Sequence, residues 1–317
     1  MRLGYFLSSE EHGPGDLVAL ARRAEEAGFQ GLWISDHYHP WIDEQGHSPF
    51  VWSVIGAIAQ ATEAMALTTA VTCPTIRIHP AVIAHAAATS AVMLPGRFRL
   101  GVGSGEALNE HILGGPWPSA NVRLEMLEEA IEVIRLLWRG GQQEHEGKHY
   151  RVENARLYDL PEHPPPIYVS GFGPKATRVA ARTGDGYCVT FADEELIGLF
   201  RQEGGRGKTV QAGVKVCWGP DEGRARSIAH RLWPNEVLPG ELAQILPTPA
   251  HFEQAVTLVG EDQVAEAIVC GPDLERHVAK LQEFADAGVD ELYVQQVGPD
   301  QDGFFEAYAA EVLPRFA

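Results

Sequence analysis

The sequence contains few cysteines, and they follow no pairing pattern. The four cysteines are far apart and none belongs to a CxxC pair: Cys73, Cys188, Cys217 and Cys270. Disulfide frameworks and cysteine-based zinc sites both depend on closer, repeated spacings. We therefore expect these cysteines to be small core residues of a protein from a reducing compartment.

Basic residues and long apolar runs are also scarce. The 317 residues include 25 lysines and arginines against 43 aspartates and glutamates, a formal net charge of −18. A surface this acidic repels phosphate backbones and anionic lipids, so neither nucleic acid nor a membrane is an expected partner. No segment approaches the roughly 20 apolar residues of a membrane span. The first residues, MRLGYFLSSEEHG, do not follow the sequence pattern of a signal peptide, so a cytoplasmic location is expected.

Short apolar runs alternate with helical patterns along the chain. Eight runs suit parallel strands covered on both faces: RLGYFL, GLWIS, LTTAVT, FRLGVG, PIYVSG, YCVT, VKVCW and ELYVQQV. The segment DLVALARRAEEAG predicts a helix with Asp16 as N-cap and Gly28 as C-cap. Strand followed by helix about eight times predicts an α/β fold, a (β/α)8 TIM barrel rather than an open doubly wound sheet.

No low-complexity tract or serine- and glycine-rich linker divides the chain. We therefore expect one domain, residues 1–317, with insertions at the C-terminal face of the barrel. The segment from Pro220 to Pro249 contains several prolines and is interpreted as an irregular insertion over one end of the barrel.

Active-site residues of such barrels follow the C-terminal ends of the strands. The stretch SDHYHPW, residues 35–41, follows the second strand and contains His37 and His39. These histidines suit a metal site, a solvated loop or acid–base catalysis. A metal site needs further ligands and no HxxxH pattern on a helix appears, so no metal is assigned. An imidazole titrates near neutral pH, which favours acid–base catalysis.

Two glycine-rich segments follow later strands. FRLGVGSGEALNE lacks the last glycine of a dinucleotide fingerprint. Its glycines could let a flat ring approach the backbone near Glu106, or could form an ordinary turn. SGFGPKAT places Pro174 in a first helical turn, where free N–H groups could hold a phosphate, although a plain turn is the alternative. The pattern indicates a planar, phosphate-bearing cofactor, either a flavin or an analogue.

Several motifs in order resemble one known family. SDHYHPW, GHSPF, TCPT, HPAVIAHAAAT, PGRFRLGVGSGEALNE and SGFGPKA are similar to segments of the coenzyme F420-dependent glucose-6-phosphate dehydrogenases. That family is a branch of the bacterial luciferase-like superfamily of TIM barrels. The resemblance implies a deazaflavin cofactor, hydride transfer between alcohol and carbonyl compounds, and a homodimer.

The resemblance also implies roles for individual residues. His37 corresponds to the base that takes the proton of the substrate hydroxyl, Trp41 to a wall of the site, and Glu106 to a glutamate that manages a proton beside the ring. Glu10 corresponds to an acidic residue of the catalytic rim. The implied cofactor-binding positions are Asp36, Ala70 and Val71 with a non-proline cis peptide bond, Cys73, Ser104, Asn109, Gly171, Phe172, Gly173 and Thr190. His39 replaces a glutamine and is expected to be peripheral.

The chain departs from the family at the expected phosphate site. TFADEELIGLF offers acids after the sixth strand, and PTPAHFEQAVTLVGEDQVAEAIV contains no lysine or arginine. A phosphate dianion without a cationic partner is poorly held, so a neutral alcohol, sugar or apolar carbonyl compound is expected instead of glucose 6-phosphate. His251, Phe252 and Trp233 are candidates for the pocket walls. An FMN-dependent luciferase-like monooxygenase is the alternative function.

Overall fold

Eleven β-strands form within residues 1–316, the part of the chain that the computed structural model describes. They are β1 (Arg2–Leu7), β2 (Gly31–Ile34), β3 (Ala66–Thr69), β4 (Phe98–Val102), β5 (Gln143–Glu146), β6 (Arg151–Ala155), β7 (Ile167–Ser170), β8 (Gly186–Val189), β9 (Thr209–Cys217), β10 (Val269–Cys270) and β11 (Glu291–Gln296). Eight parallel strands close a barrel in the order β1-β2-β3-β4-β7-β8-β9-β11. They coincide with the eight predicted runs, so the TIM barrel is confirmed.

Helices surround the barrel. They are α1 (Pro14–Ala27), α2 (Val51–Ala61), α3 (Pro80–Met93), α4 (Ala107–Glu110), α5 (Ala120–Leu137), α6 (Pro174–Thr183), α7 (Glu194–Phe200), α8 (Glu222–Leu232), α9 (Leu242–Ile245), α10 (Pro249–Val256), α11 (Glu261–Ala267), α12 (Leu274–Asp286) and α13 (Gln301–Ala307). In α1, Gly28 is the predicted C-cap and adopts a left-handed φ of 95°. The N-cap is Gly13 rather than Asp16, because Pro14 begins the helix and places Asp16 in its first turn.

The inside of the barrel is filled by side chains. Trp33 stacks on Tyr293 with ring centroids 4.9 Å apart, and Tyr168 and Cys188 complete this buried layer. Towards the N-terminal ends of the strands, Glu291 accepts hydrogen bonds from Arg99, Gln211 and Tyr293. A packed barrel interior leaves the C-terminal rim as the place for ligands.

Two segments differ from the sequence prediction. The strands β5 and β6 form an antiparallel hairpin outside the barrel, anchored where Glu129 of α5 accepts the backbone N–H groups of His149 and Tyr150. The segment from Pro220 to Pro249 is not irregular throughout, because α8 occupies its first half. Its second half, residues 233–248, has short turns only: the 3-10 helix Pro234–Val237 and α9.

Within residues 1–316, no helix has the length and apolar character needed to cross a bilayer. All four cysteines are buried and unpaired, as predicted for core residues.

We expect His277 to make the protein less stable as the pH falls. The ring is fully buried, accepts from the Tyr308 hydroxyl at 2.8 Å and donates to the Gly271 carbonyl at 3.0 Å. Burial lowers its pKa from 6.5 to about 4. As the pH falls, His277 therefore takes up a proton in the unfolded chain before it does so in the folded protein. Its contribution to the free energy of unfolding is complete above about pH 6.5 and is lost progressively down to about pH 4. The loss at about pH 5 is about 2 kcal/mol.

Urea unfolding of the wild type and of His277→Gln at about pH 7.5 and about pH 5 measures this effect. We expect the variant to lose about 2 kcal/mol less between the two pH values than the wild type does. The exposed His163→Gln is the control and should keep the wild-type difference. Equal pH differences in all three proteins would contradict the assignment.

Candidate active site at the barrel rim

The loops after the barrel strands bring the predicted site residues to one rim. Glu10 follows β1, the residues Asp36 to Trp41 follow β2, and both Cys73 and the cis peptide bond between Ala70 and Val71 follow β3. The remaining predicted positions follow β4, β7 and β8: Ser104, Glu106, Asn109, Gly171, Phe172, Gly173 and Thr190. Side-chain contacts connect the four loops that follow β1, β2, β3 and β4 and link these loops to residues 233–256.

His37 lies beside the buried carboxylate of Glu10. Its Nδ1 is 3.6 Å from Glu10 Oε1 and 3.2 Å from the carbonyl oxygen of His39. The other oxygen of Glu10 accepts from the hydroxyls of Ser8 and Ser35, at 2.9 and 2.8 Å. A carbonyl oxygen only accepts, so Nδ1 of His37 is the donor, and in the neutral ring Nε2 has the lone pair. This arrangement suits a base whose developing positive charge faces a carboxylate.

Trp41 forms the wall next to this histidine. Its ring centroid is 4.9 Å from that of His37 and 5.2 Å from that of Phe252 in α10. Apolar side chains extend this surface: Ile42, Leu108, Leu238 and Leu246. Phe252 is fully buried against Trp41, and Trp233 packs in an adjoining cluster that also touches Trp41, so a role of either in the pocket walls stays a prediction. The His251 side chain is exposed and pairs with Thr248, and its place in the pocket stays a prediction.

A buried ion-pair network supports the loops behind the rim. Asp36 accepts from the Thr72 hydroxyl at 2.7 Å and from Arg77 Nη2 at 2.9 Å. Arg77 also contacts Glu110, through its backbone N–H at 2.7 Å and its Nε at 3.4 Å. Burial acts to lower the pKa of Arg77, but Asp36 and Glu110 outweigh it and raise that pKa. Both oxygens of Asp36 thus have protein partners, and its contact with a cofactor stays a prediction.

The backbones after β3 and β4 approach each other closely. A Cβ added to Gly103 would lie 2.7 Å from Val71 Cγ2, and one added to Gly105 would lie 2.6 Å from Cys73 Sγ. Gly105 also has a left-handed φ of 76°. Glycine is required at these positions, and it brings the loop with Ser104 against the cis peptide loop.

Asn109 connects the loop after β2 with the loop after β4. Its Oδ1 accepts the backbone N–H groups of Tyr38 and His39 at 2.9 and 3.2 Å, and its Nδ2 donates to Glu106 at 3.4 Å. The His39 ring binds the Leu108 carbonyl instead of Glu10. Within residues 1–316, no three or more histidine, cysteine, aspartate or glutamate side chains are arranged to hold a metal.

The turn after β7 forms an open cradle at the start of α6. Gly173 is the N-cap, has no side-chain cap and borders open space where a Cβ would stand. Gly171 packs tightly, because an added Cβ would lie 2.8 Å from Ala176. The exposed ring of Phe172 meets that of Phe191 at 5.8 Å, beyond the end of β8 and Thr190. Unpaired N–H groups at this helix start suit a phosphate.

Sequence reasoning missed two charged residues of the rim, Arg77 and Glu11. Glu11 is buried and accepts from Trp233 Nε1 at 2.5 Å, Gln295 Nε2 at 2.8 Å and the Gly298 N–H at 2.9 Å. Burial raises the pKa of this carboxyl group against those hydrogen bonds. The only sequence signal for Glu11 was its position beside Glu10 at the end of the first strand.

The profile of the luciferase-like monooxygenase family matches residues 1–291. An F420-dependent glucose-6-phosphate dehydrogenase of Microbacterium testaceum is 37% identical over 327 aligned positions, which cover 99% of this chain and 97% of that protein. The enzyme of the same name from Mycobacterium avium is 35% identical, with 99% and 98% covered.

Solved structures show the same relationship. An F420-dependent secondary alcohol dehydrogenase in complex with an F420–acetone adduct matches with a TM-score of 0.92 and 31% identity, over 100% of this chain and 99% of that chain. The oxygenating constituent of a Pseudomonas putida diketocamphane monooxygenase in complex with FMN matches with a TM-score of 0.71 over 99% of this chain and 98% of that chain. Its identity of 17% indicates a shared fold only.

We expect Arg77→Met to destabilise the protein by about 3–5 kcal/mol, because it leaves the buried carboxylates of Asp36 and Glu110 without their cation. Urea unfolding at neutral pH measures the loss. Arg135→Met is the matched control, since its bridge to Asp185 is exposed and should contribute at most about 1 kcal/mol. Similar losses in both variants would contradict a supporting role for the buried network.

Proposed function

The chain belongs to the luciferase-like monooxygenase family, and from this premise we propose that it is an oxidoreductase that uses coenzyme F420 to interconvert an alcohol and a carbonyl compound. The observation that carries the proposal is the rim pair of His37 and Glu10 beside Trp41, in a chain similar over its whole length to F420-dependent dehydrogenases. Oxidation of an alcohol removes a hydroxyl proton and a hydride, so it requires a base close to a hydride-accepting cofactor.

The rim residues fit a planar ring with a phosphate-bearing tail. The loop with Ala70 and Val71 packs directly on the side-chain-free backbone at Gly103, and the ring would lie against these two loops. The open start of α6 behind Gly173 would hold the phosphate through its N–H groups, with Phe172 at the side. When bound, coenzyme F420 supplies a deazaflavin ring that accepts or returns a hydride.

His37 acts as the base in the proposed reaction. Its Nε2 takes the proton of the substrate hydroxyl during oxidation and returns it during reduction. The positive charge that develops on the ring is stabilised by Glu10, which the hydroxyls of Ser8 and Ser35 hold in place. Trp41 excludes water from one side of the histidine. Glu106, which accepts a hydrogen bond from Asn109, would manage a proton at the ring of the cofactor.

A neutral substrate suits the wall around Trp41. The apolar residues Ile42, Phe252 and Leu246 pack with Trp41 on this side, and residues 247–269 contain no lysine or arginine. Phosphate recognition depends on charge-assisted bonds from cations, so glucose 6-phosphate is a poor fit. We propose a neutral secondary alcohol and its ketone, or an uncharged sugar, as the substrate class.

We also propose a homodimer that works in the cytoplasm. Support comes from apolar side chains exposed on α3, Val82, Val92 and Met93, with His85 and Thr89 exposed between them, and from Phe50 exposed at the start of α2. Monomeric proteins rarely leave such a patch uncovered.

The variant His37→Ala tests the catalytic assignment. We expect kcat for oxidation of a neutral secondary alcohol to fall by about 10²–10⁴, because the hydroxyl proton loses its acceptor. The affinity for F420, followed by its fluorescence, should stay within about threefold of the wild type, since the residue does not belong to the proposed cofactor cradle. His39→Ala is the matched control and should keep most of the activity.

Two outcomes would overturn this proposal. Unchanged turnover in His37→Ala would remove the assigned base. A purified protein that retains FMN, consumes oxygen and does not bleach F420 with any alcohol would support the monooxygenase instead.

The variant Val92→Asp tests the proposed dimer. A charge buried in an apolar interface is costly, so we expect this variant to be monomeric by light scattering at micromolar concentration, where the wild type is dimeric. Leu258→Asp is the control, because Leu258 is the most exposed large apolar residue and lies away from α3. A dimeric Val92→Asp, or a monomeric wild type, would contradict this interface.

A further inference from the structure

One lysine points into the mouth of the barrel. Side chains of β9 alternate between the barrel interior and the outer core. Gln211 bonds to Trp33 inside the barrel, and a Cβ on Gly213 would lie 2.7 Å from the Trp33 ring. Lys215 is on the same face one step nearer the C-terminal end, in register with Gln295 of β11. Its ammonium group therefore lies in the uppermost layer, where substrates enter.

This cation is already paired. Lys215 Nζ is 2.8 Å from Glu236 Oε2 and 4.3 Å from the centroid of the Trp233 ring. The two side chains are only 14% and 25% exposed, so the pair is largely screened from solvent. Glu236 belongs to the 3-10 helix Pro234–Val237, which lies over this end of the barrel.

The surroundings hold the pair rigidly and close to the proposed chemistry. Trp233 donates its indole N–H to Glu11, and Glu11 is fixed in turn by Gln295 and the Gly298 N–H. Trp41 packs against the same cluster as Trp233, and its other side meets His37. The paired lysine is thus next to the wall of the substrate site.

We propose that Glu236 is a specificity-determining residue: its carboxylate occupies the Lys215 ammonium and so makes the mouth of the barrel reject anionic substrates such as phosphate esters and carboxylates. The inference deepens the proposed function and rests on it for the identity of the site. An entering anion meets a cation that is already neutralised, together with a carboxylate of its own sign.

The neutral isostere Glu236→Gln should reverse this preference. It removes one negative charge and frees a partly buried ammonium group, which forms strong hydrogen bonds to phosphate or carboxylate oxygens. We expect inorganic phosphate, titrated by calorimetry into the protein without cofactor, to bind at least about tenfold more tightly than to the wild type. The ratio of kcat/KM for a hydroxy acid to that for the matching neutral alcohol should rise by about tenfold as well.

Two further variants separate this effect from general changes. Glu253, an exposed carboxylate of α10, bonds to the Asp43 N–H and not to Lys215, so Glu253→Gln removes the same charge but leaves Lys215 paired and should bind phosphate like the wild type. The double variant Lys215→Met with Glu236→Gln should lose the gained phosphate affinity. Circular dichroism and thermal melting verify that each variant is folded.

The inference is overturned if Glu236→Gln binds phosphate no better than the wild type, or if Glu253→Gln shows the same gain. It is equally overturned if the double variant keeps the gain, because the anion would then bind elsewhere. Failure of the proposed function has a different signature, absence of F420-dependent turnover in the wild type, and the calorimetric result does not depend on turnover.

Discussion

The filled interior of the parallel barrel constrains everything else in this protein. Parallel strands place all their carboxyl ends at one rim, and the layer around Trp33 and Tyr293 closes the inside. Chemistry is therefore possible only where loops from different strands meet above that layer. Each rim loop is exposed to solvent on its outer side, so its functional side chains must be held in position by residues of the neighbouring loops.

Buried charges provide much of that support. The Arg77 guanidinium joins Asp36 after β2 with Glu110 after β4, while its own backbone follows β3. Such pairs contribute little net stability once desolvation is counted, but breaking one is costly. Their effect is therefore to fix the relative position of three loops. Asn109 adds neutral bonds between two of these loops, next to the proposed proton-handling groups.

Sequence patterns predicted all eight barrel strands because two-sided burial leaves continuous apolar runs in the chain. They missed the hairpin of β5 and β6, because QEHE and RVENA are polar edge strands without such a signal. Prolines at both ends of the segment from Pro220 to Pro249 concealed the amphipathic α8. The rim positions followed from strand ends and from resemblance. Which partners meet, as with Lys215 and Glu236, depends on loop paths that no local pattern encodes.

The adjacent residues Glu10 and Glu11 illustrate how one loop serves two purposes. Both are buried, but Glu10 receives two hydroxyls and faces His37, whereas Glu11 receives the indole of Trp233. In the proposed reaction the first stabilises the charge that develops on His37, and the second positions the ring that covers Lys215. Because each carboxylate has its own set of donors, the base and the charge selectivity of the mouth can be altered separately.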